Sequence, residues 1–338
     1  MPQPHGKLLW SDEFDGSKLD EEKWRYEPTA SMAPPLNDEL QRYVAYNDRT
    51  VSVGDGVLTI TARRDMHEGA GPIVSGRVST YGKFSFTYGV AAIRMKVPYV
   101  RGFWPAGWLL GTNIQEVGWP ACGEVDVMEV FGHRRGRHSC STVHNLLHSW
   151  GTRDPLDGGC ATLEDQDLSD WHVWWFEWTP ERISFRFDDE EEPIFSYKRD
   201  SSEGKPAEQY PYSKPFYFIL NLAVGGNGPS EPVKMDALDG DGTSLIVDYV
   251  RVYALEDEGD GKATVNTAAL PGQGWINTAA VLSKKLDEPL SAASVGARAG
   301  AFAGLGLAAL LLWVVVWWPY RRRALRRDDL GASLLDPS

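Results

Sequence analysis

The chain has 338 residues, a formal net charge of -13 and 12% aromatic residues, 14 of them Trp. That length suits one large β domain or two smaller ones. The acidic balance argues against nucleic acid, where a basic footprint is expected. So many tryptophans can mean a large core, but indole also suits flat sugar faces, since it offers area and one N–H donor.

Residues 1–255 read as one β-rich unit. Short runs rich in β-branched and aromatic residues recur between Gly, Asp, Asn and Pro turns, predicting strands over Val57–Ala62, Gly82–Tyr88, Ala91–Val97, Val125–Val130, His172–Trp178, Ile183–Phe187, Phe216–Leu222 and Leu245–Tyr253. Many short strands without intervening helices indicate an all-β sandwich or barrel. Three cysteines make an odd count and imply no disulfide framework. Cys140 and Cys160 could pair across a loop, which the sequence leaves open, and Cys122 reads as a small buried filler.

Residues 256–298 begin acidic and continue in Ala, Thr, Gly and Ser, with similar hexapeptides at 265–270 and 276–281. This is the composition of a flexible linker or stalk. Residues 299–318 are 20 residues without a charge, the length of a transmembrane helix. Trp317, Trp318 and Tyr320 suit an interfacial belt, and the tail 319–338 carries Arg321, Arg322, Arg323, Arg326 and Arg327. The positive-inside rule then places the tail in the cytoplasm and the β domain on the extracellular or lumenal side. Met1–Trp10 contains no apolar stretch of signal-peptide length. The topology is therefore open between a truncated start and a tail anchor with a cytosolic domain.

The chemistry concentrates in Gly123–Gly132, GEVDVMEVFG, where three carboxylates interrupt an apolar, β-prone run. Buried strands rarely carry acids, because charge is costly to bury. Residues i and i+2 of a strand share a face, so Glu124 and Asp126 point the same way. Glu129, five residues on from Glu124, returns to that face if a β-bulge inserts one residue, for which Met128 is the natural choice. Paired carboxyls in a cleft suit glycoside hydrolysis with retention, which needs a nucleophile and an acid/base. A metal is the competing reading of three acids; only His144 lies near as a softer ligand, and the spacing fits no familiar metal template.

This acidic stretch resembles the glutamate-x-aspartate-x-x-glutamate signature of glycoside hydrolase family 16, in its laminarinase-type form. Leu9–Gly16, Gly102–Leu110, Gly118–Glu124, Pro215–Gly226 and Asp248–Tyr253 resemble the family's flanking segments in the same order, so the likeness covers essentially all of 1–255. It implies a β-jelly roll, two curved antiparallel sheets with a binding cleft. Carried over, Glu124 is the nucleophile, Asp126 the assisting acid and Glu129 the acid/base.

The resemblance also assigns substrate contacts to Trp119, Trp104, Trp108 and His144. It gives Asn37 and Arg77 hydrogen bonds to sugars on the non-reducing side of the cut, with Gln41 and Asn227 as weaker candidates. Glu13, the backbone of Gly56 and Asp248 resemble a structural calcium site, whose ligands are oxygens. Catalysis itself needs no cofactor. One departure is Ala92, where the family usually carries an acid, at a position away from the acidic strand.

The expected activity is endo-hydrolysis of β-glucan, most simply 1,3-linked, through a glycosyl-enzyme. The alternatives are a wall-remodelling glucan transglycosylase, a hydrolase of agar, carrageenan or porphyran galactans, and a non-catalytic glucan-binding receptor. The expected partners are the polysaccharide and, through 299–318, a membrane. Sugar, linkage and oligomeric state are not legible from the sequence.

Overall fold

The computed structural model describes residues 6–29, 36–45, 48–65, 72–132, 138–149, 158–162, 167–200, 206–229, 231–255 and 264–266. Two sheets face each other across one large core, which confirms the all-β jelly-roll sandwich. Among the described residues the first sheet has ten strands. Its path runs Phe195–Lys198, Arg182–Phe187, His172–Trp178, Gly89–Lys96, Thr243–Tyr253, Val57–Arg64, Ile73–Ser75 and Arg42–Tyr43, with Leu8–Asp12 and Val51–Gly54 paired beside it. The second sheet has nine. Its path runs Gly158–Thr162, His138–His144, Glu124–Val130, Phe103–Gly111, Phe216–Val224, Arg77–Ser79 and Arg25–Tyr26.

The expected strands are present: His172–Trp178 has the expected bounds, Ala91–Val97 shifts to Gly89–Lys96, Gly82–Tyr88 shrinks to Ser85–Thr87, and the others are extended by a residue or two. Phe103–Gly111, in the middle of the second sheet, was not among them. Pro105 and Gly107 interrupt its pattern, and proline cannot donate to a ladder. The strand nevertheless pairs residue for residue with Phe216–Val224, Pro105 opposite Leu222. All nine residues of Phe216–Val224 are buried, so this pair forms the floor of the second sheet.

Three tryptophans sit wholly in the core, and each finds a partner for its indole N–H. Trp24 donates to Asp12 Oδ2 at 2.8 Å, Trp174 to Ser139 Oγ at 2.8 Å and Trp178 to the Tyr212 carbonyl at 2.9 Å. Burying a ring of this size contributes about 1.5–3 kcal/mol, provided the N–H is not left bare. Cys140 and Cys160 are disulfide-bonded, with Cα atoms 3.9 Å apart, and tie the edge strand Gly158–Thr162 to His138–His144. Cys122 is free and buried.

The second sheet also gains Thr264–Asn266, which pairs antiparallel with Ser85–Thr87. Within 256–298, the span read as a linker, these three residues are the ones described. Among the described residues no helix is long and apolar enough to cross a membrane. The expected helix at 299–318 and the tail at 319–338 lie outside the described residues.

Candidate active site

The acidic strand Glu124–Val130 begins at a turn that needs glycine. Gly123 has φ +78°, and a Cβ there would lie 2.8 Å from Phe216 Cζ. From Glu124 the side chains alternate: Val125 and Val127 enter the core, while Glu124 and Asp126 turn to the outer face. The register against His138–His144 then slips, with Asp126 opposite Thr142 and Glu129 opposite Cys140. Two residues, Val127 and Met128, oppose Ser141 alone, and this bulge returns Glu129 to the side of the other acids.

The bulge falls one residue away from where it was expected. Met128 keeps a partner, Gly107, whereas Val127 has none on either neighbouring strand. Val127 is the inserted residue. Its carbonyl, freed from the ladder, accepts a hydrogen bond from the buried Ser141 Oγ at 2.8 Å. A buried backbone acceptor without a partner is costly, so this serine stabilises the bulge itself.

Each glutamate is held by a tryptophan. Trp119 Nε1 donates to Glu124 Oε2 at 2.8 Å, and Trp104 Nε1 donates to Glu129 Oε1 at 2.8 Å. Trp104 lies close against Gly228, where a Cβ would sit 2.8 Å from its ring. His144, opposite Glu124 in the register, places Nε2 3.2 Å from Asp126 Oδ2 and 4.0 Å from Glu124 Oε1. The Trp119 and His144 rings lie 5.9 Å apart. Trp108 is the register partner of Asp126. The acids, the three tryptophans and His144 are thus brought together as expected.

Burial raises all three acids, each to about 8. The charge of Asp126 adds to the rise at both glutamates, while His144 and the tryptophan N–H groups oppose it. The neighbouring Glu124 carboxyl partly offsets the rise at Asp126. Three close acids in a dry setting cannot all ionise, so at neutral pH the group retains protons. Glu124, Asp126 and His144 also bring potential metal-ligand atoms within 4.8 Å of one another.

Asn37 and Arg77 lie on a neighbouring polar patch. Arg77 is buried, with its guanidinium 5.2 Å over the Trp108 ring and 5.8 Å over Tyr43. Asn37, at φ 53°, donates weakly to Glu39 Oε1 at 3.4 Å, and its carbonyl accepts from the Asn227 backbone N–H. Gln41 donates to Glu39 Oε2 at 2.5 Å and accepts from the Val224 backbone N–H at 2.7 Å.

Three members of this patch escaped the sequence reading: Glu39, Tyr43 and Asn221. The signals were present. Asn37, Glu39, Gln41 and Tyr43 recur at every second residue, and Asn221 is a lone amide in an apolar strand.

The calcium expectation fares differently. Glu13 is gripped by Arg251, with Oε2 2.6 Å from Nη2, and Asp248 Oδ2 lies 2.5 Å from Arg94 Nη1. Both carboxylates are neutralised by guanidinium groups on the outer face of the first sheet. As placed, the Glu13 and Asp248 oxygens that the calcium expectation names are engaged by Arg251 and Arg94. Ala92 lies on this same face, opposite Trp175 and Arg251, and is wholly buried beside Tyr249.

Residues 39–239 match the family described as glycosyl hydrolases family 16. A β-glucanase of Rhodothermus marinus is 38% identical over 258 residues, 74% of this chain and 86% of that protein. A keratan-sulfate endo-1,4-β-galactosidase of Sphingobacterium multivorum is 32% identical over 74% of this chain and 55% of its own length. The X-ray structure of the laminarinase from Rhodothermus marinus superposes with a TM-score of 0.66 at 36% identity, over 74% of this chain and 98% of that one. A bulged strand bearing three buried acids, in a two-sheet sandwich with these likenesses, has one assignment: the chain belongs to glycosyl hydrolase family 16.

Proposed function

We propose that the chain is an endo-acting β-glucan hydrolase, with 1,3-linked glucan as its main substrate, working by double displacement. The observation that carries the reading is the pair Glu124 and Glu129 on one face of a bulged strand, each fixed by an indole N–H. Glu124 attacks the anomeric carbon while Glu129 protonates the departing glycosidic oxygen. The glycosyl-enzyme ester forms on Glu124. Glu129, now ionised, takes a proton from water, which attacks the same carbon and frees Glu124.

The raised pKa of Glu129 suits the first step, since a general acid must arrive protonated near neutral pH. Asp126 and His144 lie on the Glu124 side, where a shared proton and an imidazole can follow the loss and return of the nucleophile's charge. The chemistry needs no cofactor. An ion held by Glu124, Asp126 and His144 would take the Glu124 oxygens away from the sugar.

The β-glucanase and laminarinase relatives support the substrate class, and the galactosidase relative names the rival to test. The decisive experiment measures reducing-end release on laminarin, mixed-linkage glucan and agarose, with the first-formed anomer read by NMR. Laminarin cleaved fastest to β-configured ends is expected. Galactan cleaved faster, or inverted ends, overturns the reading.

We further propose that residues 299–318 anchor the domain to a membrane with its sugar-binding face outside. The Cys140–Cys160 disulfide supports the outer placement, because such bonds persist in oxidising compartments. Protease digestion of intact cells should release the domain; full protection would place it in the cytosol.

A further inference from the structure

Glu39 takes no part in the chemistry above, yet it ends a continuous hydrogen-bonded chain that reaches the acid-bearing face. Tyr43 Oη donates to Glu39 Oε2 at 3.4 Å. Asn221 Nδ2 donates to Tyr43 Oη at 3.1 Å. Trp108 Nε1 donates to Asn221 Oδ1 at 2.7 Å. Trp108 is in turn the register partner of Asp126. Glu39 is fixed at the other end, since its backbone bridges to Gly225 and its carboxylate also takes Gln41 and Asn37.

The direction of such a chain is set by its ends. A phenol both donates and accepts, and an amide can present either its oxygen or its nitrogen. An ionised carboxylate only accepts. Tyr43 must therefore donate toward Glu39 and keep its lone pairs for Asn221 Nδ2. That turns Asn221 Oδ1 toward the indole N–H of Trp108, which can only donate. With a donor-only end and an acceptor-only end, one arrangement satisfies every member.

Arg77 depends on the same chain. Its guanidinium lies 5.8 Å from the Tyr43 ring and 5.2 Å from the Trp108 ring, with Nε and Nη2 buried and without a hydrogen-bond partner, and Asn221 is its register partner. Glu39 supplies the nearby countercharge. Let the chain slacken, and both rings that hold Arg77 lose their anchor.

We propose that Glu39 is a positioning residue that sets the polarity of the Glu39–Tyr43–Asn221–Trp108 chain and so holds Trp108 and Arg77 in place for the sugar on the Asn37 side of the cut. This rests on the β-glucan hydrolase reading for its kinetics but not for its spectroscopy. Residues that bind the sugar equally before and at the transition state change KM and leave kcat alone. Glu39→Gln keeps the shape but replaces one acceptor by a donor, so it is expected to raise KM on laminarin about 10-fold with kcat within about 2-fold. Burial raises Glu39 above the ordinary carboxylate range. In the wild type KM should therefore climb as pH falls and Glu39 is protonated, a limb absent from Glu39→Gln.

Trp108→Phe keeps the ring and removes the donor at the far end. Its effect and that of Glu39→Gln should not multiply in the double variant, since either change breaks the one chain. The substrate-independent readout is the Trp108 indole N–H resonance, assigned by its loss in Trp108→Phe. It should shift in Glu39→Gln and, in the wild type, on acidification.

An unmoved resonance overturns the proposal whatever the substrate proves to be. So does a loss of kcat at constant KM, or a lower melting temperature with unchanged kinetics. Failure of the wild type to cut any β-glucan would instead sink the substrate reading and leave the resonance to decide on Glu39.

Discussion

The two sheets carry charge on their outer faces in opposite ways. On the first, three carboxylates each pair with an arginine at a partly exposed site: Glu13 with Arg251, Asp248 with Arg94 and Glu177 with Arg182, at side-chain exposures of 28–43%. On the second, Glu124, Asp126 and His144 have side-chain exposures of 17, 5 and 10%, and the acids face one another. Exposed ion pairs contribute about 0–1 kcal/mol each, and the hydrogen bond from Arg251 holds the Glu13 carboxyl below its ordinary value, in its charged form. Buried like charges hold protons near neutral pH, which is what acid/base chemistry requires. The contrast teaches that the location of unpaired charge, rather than the amount of charge, marks the working face of this sandwich.

The sharpest way to break the comparison is to neutralise the two glutamates. Glu124→Gln or Glu129→Gln should each lower kcat/KM on laminarin by at least about 10³-fold, since nucleophile and proton donor are both lost to chemistry. Circular dichroism should stay unchanged. Residual activity within about 10-fold of wild type for either variant would remove these acids from their roles. Next comes Asp126→Asn, which keeps the contacts but cannot share charge with Glu124. A fall of about 10–10²-fold in kcat with a small change in KM is expected from steady-state kinetics.

How far this face was legible in the sequence depends on which force fixes each part. Strand alternation is local, so Glu124 and Asp126 could be placed on one side from spacing alone. The need for a bulge was legible for the same reason. Its position was not, because the choice between Val127 and Met128 is made by pairing with Gly107 on another strand. The Phe103–Gly111 strand was hidden by Pro105, whose cost is met by a neighbour fully buried along its length. Asn221 is far from Glu39 and Tyr43 in the chain, and the connection exists only once Asn221 and Arg77 pair across strands. The calcium expectation rested on resemblance, and resemblance does not report that Arg251 pairs with Glu13 and Arg94 with Asp248.

A smaller effect concerns stability and pH. The folded-state values of Glu124, Asp126 and Glu129 lie near 8, above their unfolded values of 4.5, 3.8 and 4.5. Between those limits the folded protein binds more protons than the unfolded chain, so stability falls as pH rises. Below about pH 4 both states are protonated and the penalty vanishes. Glu129→Gln removes one contribution. It should melt higher than wild type at pH 8, by roughly 2–6 °C for a domain of this size, and no differently at pH 4. Thermal scans at the two pH values check it, and a variant less stable at pH 8 would mean that the acid is ionised without strain.

The smallest effect is expected on the first sheet, and it tests whether that face is as inert as its pairing implies. Glu13→Gln removes a two-pronged hydrogen bond to Arg251 at a site about one third exposed. Water replaces the lost partner, so the cost should stay near 1 kcal/mol or below, and kcat/KM on laminarin should not change. Calcium gives the stricter test. To bind it, Glu13 and Asp248 would have to release their arginines and bring two guanidinium charges beside a divalent ion. Millimolar calcium or a chelator should therefore move the melting temperature of the wild type by less than about 1 °C, since a ligand stabilises only in proportion to its occupancy of the folded state. A rise of several degrees with calcium, abolished in Glu13→Gln, would show that the ion displaces the arginines and that the first sheet's charges are held in reserve for it.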